Sequence, residues 1–122
     1  MKTLLATTLA LSLLLPAAAA QANGPACDVS VQFGSYAMGI DGRAFDKVQR
    51  YIARHPRLIA TSSVISWGRE GEKTVCMTTT ARRGTTTAFH DIKALVGKGQ
   101  RGPVEVRTLD GRVWSSHPGM PH

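Results

Sequence analysis

Cysteine is all but missing from this chain: Cys27 and Cys76 are the only two among 122 residues. A disulfide-dense scaffold is thereby excluded, and the spacing rules out a C-x-x-C redox pair. Acidic residues are scarce as well, with eight Asp and Glu against fifteen Lys and Arg, for a net charge of +7. Long apolar runs are limited to residues 4–15, too short for a spanning helix, which takes about 20 apolar residues. Several enzyme signatures are also missing. His55, His90, His117 and His122 show no H-E-x-x-H or paired spacing. The serines show no G-x-S-x-G elbow, and no Gly-Lys-Ser/Thr marks a phosphate loop. Asp46 and Asp91 have no evident partner for acid–base work. His117, Met120 and His122 fall in a Pro/Gly-containing tail and make at most a loose copper site. No catalytic residue, metal ligand set or cofactor is expected.

What is present begins with an export signal. Met1-Lys2 supplies a short positive start, residues 4–15 an uncharged apolar core, and Pro16 ends the helix-forming stretch. Ala20-Gln21-Ala22 then places small residues at the two positions that cleavage favours. The expectation is a signal peptide over residues 1–22, cut after Ala22 or alternatively after Ala20, and a periplasmic or secreted protein without a transmembrane anchor. A lipid on Cys27 is not expected, because Gly24-Pro25-Ala26 precedes it and the apolar core has already ended. Removal of Lys2 lowers the net charge from +7 to +6. In an oxidising compartment Cys27 and Cys76 are expected to form one disulfide. Closing a loop of that length stabilises by roughly 2–4 kcal/mol.

Residues 28–36 alternate, with Val29, Val31 and Phe33 on one face, as a half-buried strand does. Asp41 reads as a helix N-cap, and Ala44, Phe45, Val48, Tyr51 and Ile52 then fall at helical spacing until Pro56. Residues 58–67 and 73–80 read as strands around a Gly68–Gly71 turn. A second helix carries Ala88, Phe89, Ile92, Leu95 and Val96 and ends at Gly97. A fourth strand spans 104–109, followed by an Asp110-Gly111 turn before Val113-Trp114. A shift of 44 residues lays Ala44-Phe45 on Ala88-Phe89 and Val48 on Ile92. The fold expected is α+β: a ferredoxin-like β-α-β-β-α-β sandwich, with a four-stranded antiparallel sheet and both helices on one face. Residues 23–114 would form its single domain and residues 115–122 a flexible tail. Cys76, between inward-facing Val75 and Met77, points to the other face, so Cys27 must lie outside the regular first strand to reach it.

Three features are candidate sites. Arg43, Lys47, Arg50 and Arg54 recur at i, i+4, i+7 and i+11, which stacks them in one stripe on the first helix. An anionic partner would relieve their repulsion, although Asp46 can pair with Arg50 and solvated helix faces often look like this. In the expected fold, loops near 35–43, 67–73 and 97–103 meet at one end. That end collects Tyr36, Arg43, Trp67, Arg69, Lys73, Lys98 and Arg101, with Asp41, Glu70 and Glu72 among them, and Trp and Arg are frequent contact anchors; the Trp can equally cap the core. Arg82-Arg83-Gly84-Thr85, just before the second helix, makes a candidate anion site, and ordinary threonine capping accounts for the same residues.

Fold analogy adds little. The open face would present Ser30, Gln32, Thr74 and Thr78 without an aromatic for base stacking, so no nucleic-acid partner is expected. Acylphosphatases use this fold with an Arg-bearing first loop and an Asn; Arg43 follows the first loop here, but Asn23 is the only Asn. The reading is a small exported basic binding or accessory protein, contacting an acidic protein or an anionic envelope component. A phosphate-handling enzyme built on Arg43 or on Arg82 and Arg83, or a structural envelope component, is the alternative.

Overall fold

The computed structural model describes residues 26–97 and 101–117. The expected signal segment, Lys98, Met120 and His122 lie outside them. In chain order the elements are β1 (Val29–Phe33), α1 (Gly42–Arg54), β2 (Ile59–Ser66), β3 (Lys73–Thr79), α2 (Arg82–Val96), β4 (Val104–Thr108) and β5 (Val113–Ser115). All strand pairs are antiparallel, in the order β2-β3-β1-β4-β5.

The alternation of β1 does what its pattern implies. Val29, Val31 and Phe33 are fully buried, in register with Met77, Val75 and Lys73 on β3 and with Thr108, Val106 and Val104 on β4. Onto this face pack Ala44, Val48 and Tyr51 of α1 and Ala88, Phe89, Ile92 and Val96 of α2, so one core lies between the sheet and the helix layer. Asp41 caps α1 as its position suggests, its Oδ1 accepting from Ala44 N at 3.1 Å. Its Oδ2 accepts from Arg101 N at 2.9 Å, which ties the loop before β4 to the start of α1.

Among the described residues the sheet has five strands, not four. Gly111 adopts φ +102, a conformation that side chains resist, and Thr108 N bonds Arg112 O at 3.0 Å to close the turn. The chain therefore reverses tightly enough for Val113–Ser115 to pair with Glu105–Arg107. Ser116 extends the pairing through its N–H to Val104 O at 2.9 Å. At the other edge, β2 is exposed along seven of its eight residues, from Ala60 to Ser66. Among the described residues no strand pairs with its edge opposite β3, and β2 carries no charge.

Cys27 and Cys76 form a disulfide, with their Cα atoms 5.3 Å apart and a sequence separation of 49. Cys27 lies two residues ahead of β1, outside the regular strand. Asp28 leads into the sheet, its N–H donating to Met77 O at 2.9 Å and its Oδ2 accepting from Thr79 N at 2.8 Å. Cys76 stands opposite Ser30, on the face turned away from the helices. The bond thus staples the chain entry to the middle of β3 across the helix-free side.

Candidate functional site

The carboxylates of this protein are largely engaged within it. Asp28 holds Thr79 N, Asp41 caps α1, Glu72 accepts from Glu70 N, Asp91 accepts from the Tyr51 hydroxyl, Glu105 pairs with Arg107 and Asp110 accepts from Thr108. Only Asp46 and Glu70, of eight, have no such side-chain bond among the described residues. The cations are the reverse. Arg107–Glu105, at 2.5 Å, is the one ion pair within 4.0 Å among the described residues. Internal structure has used the negative charge and left the positive charge facing outward.

On α1 the stripe is present as spaced. Arg43, Arg50 and Arg54 are exposed and Lys47 is half-buried, none ion-paired with a carboxylate of the described residues, so the Asp46–Arg50 pair does not form. Lys47, Arg50 and Arg54 flank a shallow groove floored by Tyr51, His55 and Leu95. Here the Tyr51 ring stacks on His55 at 4.0 Å, and His55 Nδ1 donates to Tyr51 O at 2.7 Å. Arg43, at the first turn, lines a different groove with Arg101 and Met38. The stripe therefore splits into a cationic groove along the helix and a cationic pair at its start.

The anion candidate before the second helix is altered. α2 begins at Arg82, with Ala81 extended and offering no capping side chain, so Arg82 and Arg83 lie in the first helical turn. Cations there oppose the helix dipole. Asp28 and Asp110 line the same groove as Arg82 and Thr85 and supply the negative charge that such a position favours. Thr85 does not cap the helix; its hydroxyl bonds the Thr79 hydroxyl at 2.7 Å. The site is thus partly neutralised by the protein itself.

The loops expected at one end do converge: Gly34 N donates to Pro103 O at 2.9 Å, and Arg101 N to Asp41. They build a cleft of about 430 Å³ on the helix-free side of the sheet. Its floor is a polar row in register, Gln32 beside Glu105 and Glu105 beside Ser115. Trp67 stands at one side, its indole N–H donating to Thr74 Oγ1 at 3.1 Å, and it does not cap the core. Tyr36 and His117 meet edge-to-face at 5.4 Å and line it as well. Ser30, Gln32, Thr74 and Thr78 share the helix-free face as expected, but loop aromatics stand at its end, which strand alternation alone did not reveal. Arg69, Arg43 and Arg101 do not line this cleft.

Two loop conformations place those aromatics. Ala37, next to Tyr36, adopts φ +96, and Ser35 Oγ accepts from Ala37 N at 3.0 Å and Gly39 N at 2.9 Å to hold it. Gly68, next to Trp67, adopts φ +72 over the Glu72 carboxylate, while Trp67 N donates to Glu72 O at 2.9 Å.

No family model matches the chain, and neither a curated protein nor a solved structure matches it. Among the described residues no His, Cys, Asp and Glu group has the arrangement of a metal site, and no helix is long and apolar enough to cross a membrane.

Proposed function

We propose that the protein is a small exported binding or accessory protein that contacts an acidic protein or an anionic envelope component through the cationic face of α1. One observation carries this reading: among the described residues, Arg43, Lys47, Arg50 and Arg54 have no carboxylate partner, while most of the protein's carboxylates are bonded internally. Unpaired cations on one helix face raise the local potential and speed the approach of an anionic surface. The disulfide is compatible with an oxidising, exported setting. For the fold, we propose a ferredoxin-like sandwich carrying an extra edge strand, a reading supported by the β2-β3-β1-β4 order and the single helix layer. A phosphate-handling enzyme is the weaker reading, because Asp28 and Asp110 stand beside Arg82.

The test is capture of partners from a cell-envelope extract by the purified protein and by a Lys47→Glu/Arg50→Glu variant. Acidic partners should be held by the first, lost by the second, and released between about 0.1 and 1 M salt, as the screening length falls from about 10 to about 3 Å. Capture that ignores both salt and charge reversal would overturn the reading.

A further inference from the structure

The cleft on the helix-free side differs in chemistry from the rest of the surface. The chain carries a net +7, yet among the described residues no Lys or Arg lines this cleft, while Glu72 and Glu105 do. The neighbouring groove at the start of α1 has Arg43 and Arg101, and the groove along α1 has Lys47, Arg50 and Arg54. Glu105 is almost fully buried and already bonded to Arg107, which is itself largely exposed. The Glu72 carboxylate therefore supplies the charge not matched by an ion pair. Beside it stand two aromatic rings that keep much of their surface open, Trp67 at 38% and Tyr36 at 45% exposure.

Ring faces and carboxylates together select one class of ligand. The quadrupole of an aromatic face attracts a cation, and the attraction grows when the cation is poorly hydrated, as a methylated or aryl-substituted ammonium is. A carboxylate beside the rings adds Coulomb attraction, and an apolar body covers the indole. The volume, about 430 Å³, suits a small organic molecule. We propose that this cleft binds a small organic cation, an ammonium bearing methyl or aryl groups, against Trp67 and Tyr36 with Glu72 as its counter-ion. This site is on the opposite side of the sheet from the cationic face of α1 and does not depend on it.

Isothermal titration of the purified protein with choline, and with its uncharged isostere 3,3-dimethylbutan-1-ol, tests the assignment, and a neutral hexose serves as a third probe. Choline should bind at one site, with the isostere weaker by about tenfold or more. Glu72→Gln keeps an oxygen for the Glu70 N–H, so the loop is retained while the charge is removed. It should weaken choline about tenfold, and Trp67→Ala by a similar factor, while Trp67→Phe keeps part of the affinity. Unchanged melting temperatures would show that these variants remain folded. The proposal fails if the isostere binds as well as choline, if Glu72→Gln leaves affinity unchanged, if choline gives no heat, or if the hexose binds in its place.

Discussion

The Tyr51 hydroxyl donates to Asp91 Oδ2 at 2.6 Å, joining α1 to α2 across the helix layer. Tyr51 is 7% exposed, so the bond is shielded on the phenol side, and removing it leaves a half-buried carboxylate to find water. Tyr51→Phe should cost about 1–2 kcal/mol at neutral pH, read as a lower urea midpoint. Burial, and after it the hydrogen bond and charge of Asp91, push the Tyr51 hydroxyl well above its ordinary value of 10. The unfolded chain then loses this proton first. The stabilisation is full below about pH 10 and is lost as the pH rises beyond it. The gap between the wild type and Tyr51→Phe should therefore narrow toward about pH 11. A gap that stays constant would show that the phenol proton plays no part.

Reduction of Cys27–Cys76 should lower stability by about 2–4 kcal/mol, since the bond joins residues 49 positions apart and closes a loop that the unfolded chain would otherwise explore. The cysteines lie on the helix-free face, away from the core between sheet and helices, so Cys27→Ser/Cys76→Ser should retain the native far-ultraviolet circular dichroism. Urea titration with and without reductant measures the loss. A loss under about 0.5 kcal/mol would mean that the sheet registers itself without the staple.

The parts of the fold legible in the sequence are those set by local periodicity. Val29, Val31 and Phe33 alternate and are buried, and the spacing of Ala44, Val48 and Tyr51, echoed by Ala88, Ile92 and Leu95, marks the two core-facing helix stripes. Parity alone puts Cys27 outside the strand, because Cys76 sits between two inward residues. What escaped depends on contacts distant in the chain or on single torsions. β5 is three residues long, too short for alternation to register, and its pairing depends on the Gly111 turn. The start of α2 at Arg82 carries no capping side chain to announce it. The cleft combines residues as far apart as Gln32 and His117, and its aromatics come from loops, where no period exists. Positive charge on α1 was legible because helical spacing puts it in one stripe. That the carboxylates are engaged elsewhere was not, since each finds its partner through the tertiary fold.

Asp41 does two jobs with one carboxylate, and its 3% exposure means water cannot replace either partner easily. Asp41→Ala should cost about 2 kcal/mol or more, above a usual helix cap, because the Arg101 N–H loses its acceptor together with Ala44 N–H. Asp41→Asn should recover part of this, since an amide oxygen still accepts. Amide hydrogen exchange should quicken at both Ala44 and Arg101. Acceleration at Ala44 alone would show that the loop before β4 is held by other contacts.

Ala37 and Gly68, beside the two cleft aromatics, both sit at positive φ and should both favour glycine. At φ +96, Ala37 carries a Cβ where the backbone favours none, at a cost of roughly 1–2 kcal/mol, against which glycine costs about 0.5–1 kcal/mol in chain entropy. Ala37→Gly should therefore be neutral to stabilising by up to about 1 kcal/mol. Gly68 at φ +72 already meets this preference, and an added Cβ would also fall 2.5 Å from Glu72 Cδ, so either the carboxylate or the turn must move. Gly68→Ala should cost roughly 1–3 kcal/mol and shift the emission of Trp67, whose indole is held to Thr74 by the position of this loop. Emission recorded in a Trp114→Phe background isolates Trp67. If Gly68→Ala leaves both emission and stability unchanged, the loop does not need this torsion to hold Trp67, and the wall of the cleft is set by the Thr74 hydrogen bond alone.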